Sequence, residues 1–150
     1  MSEAPARAGD ARALKVLIVE DEFFLALEME MWLLDAGHQV VGHGVNTRTA
    51  LAAAAEDLPD LALVDLRLQE GASGLEVAAS LKERGVTCLF VTSTCAAEVG
   101  GDLALGCLHK PIDNAVLLDA VAVARAALRG EPAPRTPYGM HLYGACAATG

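Results

Sequence analysis

Four places in this 150-residue chain hold side chains that could do chemistry together: the acidic pair Glu20-Asp21, then Asp65, Thr92 and Lys110. Each stands at or just beyond the carboxyl end of a short apolar run. Three carboxylates at close range repel one another and raise one another's pKa unless a cation sits among them. Magnesium suits such a cluster, because it prefers oxygen ligands and takes one or two protein carboxylates together with phosphate oxygens. A carboxylate facing that metal can serve as a nucleophile toward phosphorus. Each residue also has a plainer reading. Asp21 could cap a helix, Asp65 could mark a turn, Thr92 suits any strand, and Lys110 could be a surface charge. The case for chemistry is their joint placement.

That placement depends on the elements between them. Leu14–Val19 is apolar and rich in branched residues, which predicts a buried strand. Residues 22–36 predict a helix, with Phe24, Leu27, Met31 and Leu34 three or four apart and Gly37 as its stop. Strands follow at 39–42, 61–64, 86–91 and 106–109, with helices at about 47–57, 73–84 and 112–128. Ser73 and Glu76 have capping-box spacing, and Leu117, Val121, Ala124 and Leu128 make one face of the last helix. The segment from Cys95 to Leu105 makes a poor helix because Gly100 and Gly101 interrupt it. Five alternating strand–helix units with continuous apolar strands predict an α/β fold, a parallel sheet covered on both faces. Ligands in such sheets collect at the strands' carboxyl ends. That is where the five polar residues stand.

The whole chain sets outer bounds. Its length suits one domain, and 53% hydrophobic residues suit a folded protein with buried strands. A net charge of −9 argues against a nucleic-acid surface. No apolar run approaches the roughly 18 residues of a membrane span, and residues 1–13 read as a loose leader without a signal-peptide core. Cys88, Cys95, Cys107 and Cys146 have no paired spacing, so reduced thiols in a cytoplasmic protein are expected. Residues 130–150, with a Pro-rich start and then Tyr138, Met140, Leu142 and Tyr143, read as an extended tail or a docking segment.

The runs Val-Leu-Ile-Val-Glu-Asp-Glu (16–22), Leu-Val-Asp-Leu-Arg-Leu (63–68), Phe-Val-Thr-Ser (90–93) and His-Lys-Pro (109–111) together resemble the response-regulator receiver domain of two-component signalling. The resemblance covers about residues 14–129. It implies a doubly wound, five-stranded, flavodoxin-like (βα)5 fold, with Asp65 taking a phosphoryl group from a histidine kinase or phosphotransfer protein. It further implies magnesium held by Glu20, Asp21, Asp65 and the backbone carbonyl of Arg67, with Lys110 and Thr92 meeting the phosphoryl oxygens. A cis peptide at Lys110–Pro111 also follows from it. On this reading the protein catalyses only its own phosphorylation and dephosphorylation. It signals to a downstream protein by contact, and a homodimer is left open.

Two positions depart from the family's pattern. Cys107 stands where receivers carry an aromatic switch residue, and it is expected to be a small buried filler rather than a redox switch. The glycine-interrupted segment falls where the fourth helix would be. A subset of single-domain receivers carries Phe-Ala-Thr-Gly after the fourth strand, and of these only Phe90 and Thr92 agree. Competing readings are a phosphatase, which would want a second Asp where Arg67 stands, and a nucleotide or flavin carrier, which would want a glycine-rich loop after the first strand. A degenerate receiver serving as a scaffold is the remaining alternative.

Overall fold

The computed structural model describes residues 13–68, 73–95 and 101–144. Its strands are β1 (Lys15–Val19), β2 (Gln39–Gly44), β3 (Leu61–Val64), β4 (Thr87–Thr92), β5 (Gly106–His109) and β6 (Met140–Leu142). Its helices are α1 (Phe23–Asp35), α2 (Thr47–Glu56), α3 (Gly74–Glu83) and α4 (Asn114–Arg129). One sheet runs in the order β2-β1-β3-β4-β5-β6. The first five strands are parallel, as their apolar, alternating-helix pattern predicts. The five-strand expectation needs one correction: β6 adds antiparallel to β5.

The central strands β1, β3, β4 and β5 are buried on both faces and contribute to two cores. On one side, Ile18, Leu63, Leu89 and Leu108 pack with Ala26, Met29 and Leu33 of α1 and Leu117, Val121 and Ala124 of α4. On the other, Leu17, Ala62, Val64, Phe90 and Cys107 pack with Ala50 and Ala54 of α2 and Val77, Ala78 and Leu81 of α3. The small residues of α2 let it lie close to the sheet.

Helix ends follow local chemistry. Asn46 and Thr49 form a reciprocal capping box at α2. At α3, Ser73 Oγ accepts the Leu75 N–H at 3.1 Å. Asp113 caps α4 by accepting the Val116 N–H at 2.9 Å, and Gly130 closes it in the left-handed region at φ 65°. The N-cap of α1 is Glu22, with no side-chain capping bond.

The stripe of α1 picked out by spacing is not its buried face. Phe24 is 76% exposed, and Leu27, Met31 and Leu34 are exposed with it. The expected broken helix lies partly outside the described residues. Its described part, Gly101–Leu105, is turn and bend. The tail has no regular structure over 131–137, is exposed over 131–136, and then returns to the sheet. Met140 and Tyr143 are buried there, and the backbone of β6 closes on Gly106, where a Cβ would lie 3.1 Å from Leu142 Cα. No helix among the described residues is long and apolar enough to cross a membrane.

Candidate functional site

Strand order reverses at β1, whose neighbours β2 and β3 are reached in opposite directions, and a crevice opens at the carboxyl ends there. Val19 pairs with Val64, so the next residues, Glu20 and Asp65, emerge side by side. The Asp65 N–H donates to the Val19 carbonyl at 3.0 Å, which fixes that alignment. Further along, Thr92 pairs with His109, and the Lys110 N–H donates to the Thr92 carbonyl at 2.9 Å. Carboxylate oxygens of Glu20, Asp21 and Asp65 all lie within 4.8 Å of one another. Sequence reasoning named all five of these residues, and the fold brings them to one edge.

Two carboxylates of the cluster are largely out of water: Glu20 is 4% exposed and Asp65 7%. Lys110 reaches both, with Nζ 2.9 Å from Glu20 Oε1 and 3.0 Å from Asp65 Oδ2. Its peptide bond to Pro111 is cis. The second Asp65 oxygen, Oδ1, accepts the Arg67 N–H at 3.0 Å. Glu20 Oε2 accepts the Glu22 N–H, also at 3.0 Å. Glu20 Oε1 is buried and faces the Lys110 ammonium as an ion pair. Thr92 is fully buried, and its hydroxyl oxygen lies 3.3 Å from Thr94 Oγ1 and accepts the Thr94 N–H at 3.3 Å.

The electrostatics match this geometry. Burial pushes the Glu20 carboxyl above the usual glutamate range, and Lys110 and the Glu22 N–H pull it down only in part. For Lys110, burial alone would favour the neutral amine. Hydrogen bonds to Glu20 and Asp65, with their charges, outweigh it and raise the pKa, so the ammonium persists. One ammonium thus faces three carboxyl groups, two of them nearly buried. The three clustered carboxylates, an all-oxygen donor set, fit a hard divalent cation such as magnesium.

The family model of the response regulator receiver domain matches residues 16–122. The chain belongs to the response regulator receiver family. Among curated proteins, this receiver is 35% identical over 83 residues to the phyllosphere-induced regulator PhyR of Methylorubrum extorquens. That match takes in 54% of the receiver but only 31% of PhyR, so the chain spans about a third of that relative. Among solved structures, it overlays on the receiver domain of PhyR from Erythrobacter litoralis with TM-score 0.69 and 23% identity, covering 83% of this chain and 97% of that one. The receiver domain of a modulated diguanylate cyclase from Desulfovibrio desulfuricans gives TM-score 0.69 at 30% identity, over 80% and 99% of the two chains. The fold and the two-component signalling class inferred from the sequence motifs are therefore right.

Sequence reasoning missed several contributors to this receiver's site. Gly74, first residue of α3, lies against the Asp65 carbonyl oxygen, and a Cβ there would come within 2.6 Å of Leu66 Cα. The Gly74 N–H donates to the Leu66 carbonyl at 3.0 Å, so α3 begins pressed onto the backbone that carries Asp65. A glycine directly after a helix N-cap was the available signal. Glu22, 4.0 Å from Lys110, and Phe24 line a cleft of about 460 Å³ beside Lys110, Pro111 and Ile112. The expectation of reduced thiols is also corrected, because Cys95 and Cys107 form a disulfide with Cα atoms 6.0 Å apart. Their spacing of 12 residues carries no recognisable pattern, and it is the turn at 101–105 that returns the chain to β5. Cys107 is thus buried, as expected, but not as a free filler. Cys88 is a free buried thiol whose pKa burial pushes up to about 12.

Proposed function

We propose that this receiver accepts a phosphoryl group on Asp65 from a histidine kinase or phosphotransfer protein and passes the signal on by protein contact. The observation that carries the reading is the Asp65 carboxylate itself. It is nearly buried, with one oxygen held by the Arg67 N–H and the other by Lys110, inside a three-carboxylate cluster. Phosphoryl transfer relies on positioning and charge neutralisation, and this constellation provides both.

Glu20, Asp21, Asp65 and the Arg67 carbonyl would hold magnesium, which when bound supplies positive charge to offset that of the phosphoryl oxygens. In the transfer, an Asp65 carboxylate oxygen forms the new P–O bond as the bond from phosphorus to the donor's imidazole nitrogen breaks. The electron pair leaves with the imidazole, which takes up a proton. Lys110 moves its ion pairing from Asp65 to a phosphoryl oxygen, and the Thr92 hydroxyl donates to another. The exposed apolar stripe of α1, ending at the cleft beside Lys110, suits a partner that brings an apolar helical surface and a phosphohistidine to this edge.

The test is incubation with acetyl phosphate and magnesium, followed by intact mass under mildly acidic conditions. A labile adduct that requires magnesium and disappears in Asp65→Asn is expected. No adduct at all would make the protein a phosphorylation-independent scaffold, and an adduct surviving Asp65→Asn would move the acceptor elsewhere.

A further inference from the structure

The disulfide occupies a telling position. Cys95 lies three residues after Thr92, and Cys107 lies three residues before Lys110. It therefore joins the segment leaving one phosphoryl-contacting residue to the strand delivering the other. On the sheet side these two are already locked, through the Thr92–His109 register and the Lys110 N–H to Thr92 carbonyl bond. The bridge adds a covalent tie between the same two segments. Between Thr92 and Cys95 stand only Ser93 and Thr94, both exposed, and Thr94 is the residue that contacts the Thr92 hydroxyl. Whether that hydroxyl stays on Thr94 or turns toward Asp65 depends on the backbone of 93–95, one end of which the bridge holds.

The two sulfurs also differ in access. Cys107 is fully buried in β5, while Cys95 is half-buried at the start of the loop. Cys95 is therefore the sulfur an attacking thiolate would meet first, Cys107 lying within the sheet. Beyond the bridge, the loop has few other ties among the described residues. Lys82 Nζ donates to the Asp102 carbonyl, the Leu105 N–H to the Cys88 carbonyl, and the Tyr143 N–H to the Leu105 carbonyl. Cutting the bridge would leave residues 93–95 with no covalent restraint other than the chain.

We propose that Cys95–Cys107 is a reversible thiol–disulfide exchange site that gates phosphoryl acceptance by this receiver. Bridged, it holds Thr92–Thr94 in the present arrangement; reduced, it frees the Thr92 hydroxyl to serve the phosphoryl group. The reagent class is a dithiol. One of its thiolates attacks Cys95 Sγ, forming a mixed disulfide and releasing the Cys107 sulfur, which takes up a proton. Its second thiol then displaces Cys95 as a thiol. The dithiol ends as a cyclic disulfide, having supplied two electrons and two protons. The gating rests on the reading of Asp65 as the phosphoacceptor, and the experiment separates the two.

The full chain is prepared bridged or after treatment with dithiothreitol, with the bridge state assigned by alkylation and peptide mass. Each form is then given acetyl phosphate and magnesium, and amide hydrogen exchange is followed over residues 92–107. The bridge should reduce without loss of helical circular dichroism. Exchange should rise in 93–95 and 101–105, and adduct formation should speed up about fivefold, the effect of one ordinary hydrogen bond. Cys95→Ser should behave as the reduced protein with or without the dithiol, which excludes a direct effect of the reagent. A bridge that opens only on unfolding overturns the proposal. So do equal adduct rates in the two forms, an outcome that leaves the phosphoacceptor reading standing. Adduct in neither form removes that reading and the gating with it.

Discussion

At the scale of single residues, the site combines a largely buried acid cluster with a glycine, Gly74, that backbone presses against. Gly74→Ala would drive a Cβ into the Asp65–Leu66 backbone. The expected cost is about 1–3 kcal/mol, as for other overpacking, read from urea denaturation, together with slower adduct formation on Asp65. Unchanged stability and rate would mean that α3 can retreat without disturbing the acceptor. The raised pKa of Glu20 sets a pH dependence whose sign is fixed. In the metal-free protein its contribution to stability is present below the unfolded-state pKa and fades as pH rises through the higher folded-state value. Magnesium at the proposed site should reverse the trend, because the ionised carboxylate would be its ligand. At a hundredfold excess over its Kd, the ion should add about 2.7 kcal/mol of stability near neutral pH. Calorimetry should show that gain shrinking as pH falls through the carboxylate range; a gain independent of pH would place the ion elsewhere.

At the scale of elements, α1 shows where pattern reading reaches its limit. Its sequence is apolar nearly all round, so Ala26, Met29 and Leu33 have helical spacing just as Phe24, Leu27, Met31 and Leu34 do. Spacing alone cannot say which stripe faces the sheet; Ala26, Met29 and Leu33 do, with Leu25 and Trp32 packed beside them. The same ambiguity did not touch the strand ends, where Glu20, Asp65, Thr92 and Lys110 interrupt apolar runs and stand out as polar. The site was legible for that reason, whereas the Cys95–Cys107 bridge, made by residues without local pattern, was not. Replacing exposed Phe24 and Met31 by Ser should leave thermal stability within about 0.5 kcal/mol and leave acetyl phosphate labelling unchanged. Transfer from a phosphorylated histidine domain should fall. Loss of labelling by acetyl phosphate as well would mean that the stripe supports the site and is not only a docking face.

At the scale of the molecule, the C-terminal return is the feature least visible beforehand, since three residues are too few to show alternation. β6 covers the edge of β5 and seats Tyr143, whose ring is buried while its hydroxyl finds no hydrogen-bond partner among the described residues. Burial raises the pKa of that hydroxyl. Tyr143→Phe should therefore be neutral or stabilising by up to about 1 kcal/mol in urea titrations, and a clear loss would reveal a partner for the hydroxyl. Ending the chain at 137 should instead cost about 3 kcal/mol, from the Met140 and Tyr143 side chains together. It would also bare β5 as an open edge that invites pairing between chains, visible as concentration-dependent light scattering.

The strand order has a further consequence, in time rather than space. Lys110 meets Asp65 across 45 residues of chain, and Glu20 precedes Asp65 by a comparable stretch with a whole strand–helix unit between them. No local fragment holds the acceptor constellation, so it comes into being only when distant strands have found one another, a step that sequence-remote contacts make slow. During refolding, competence to take up a phosphoryl group should thus lag behind helix formation and coincide with the last recovery of native structure.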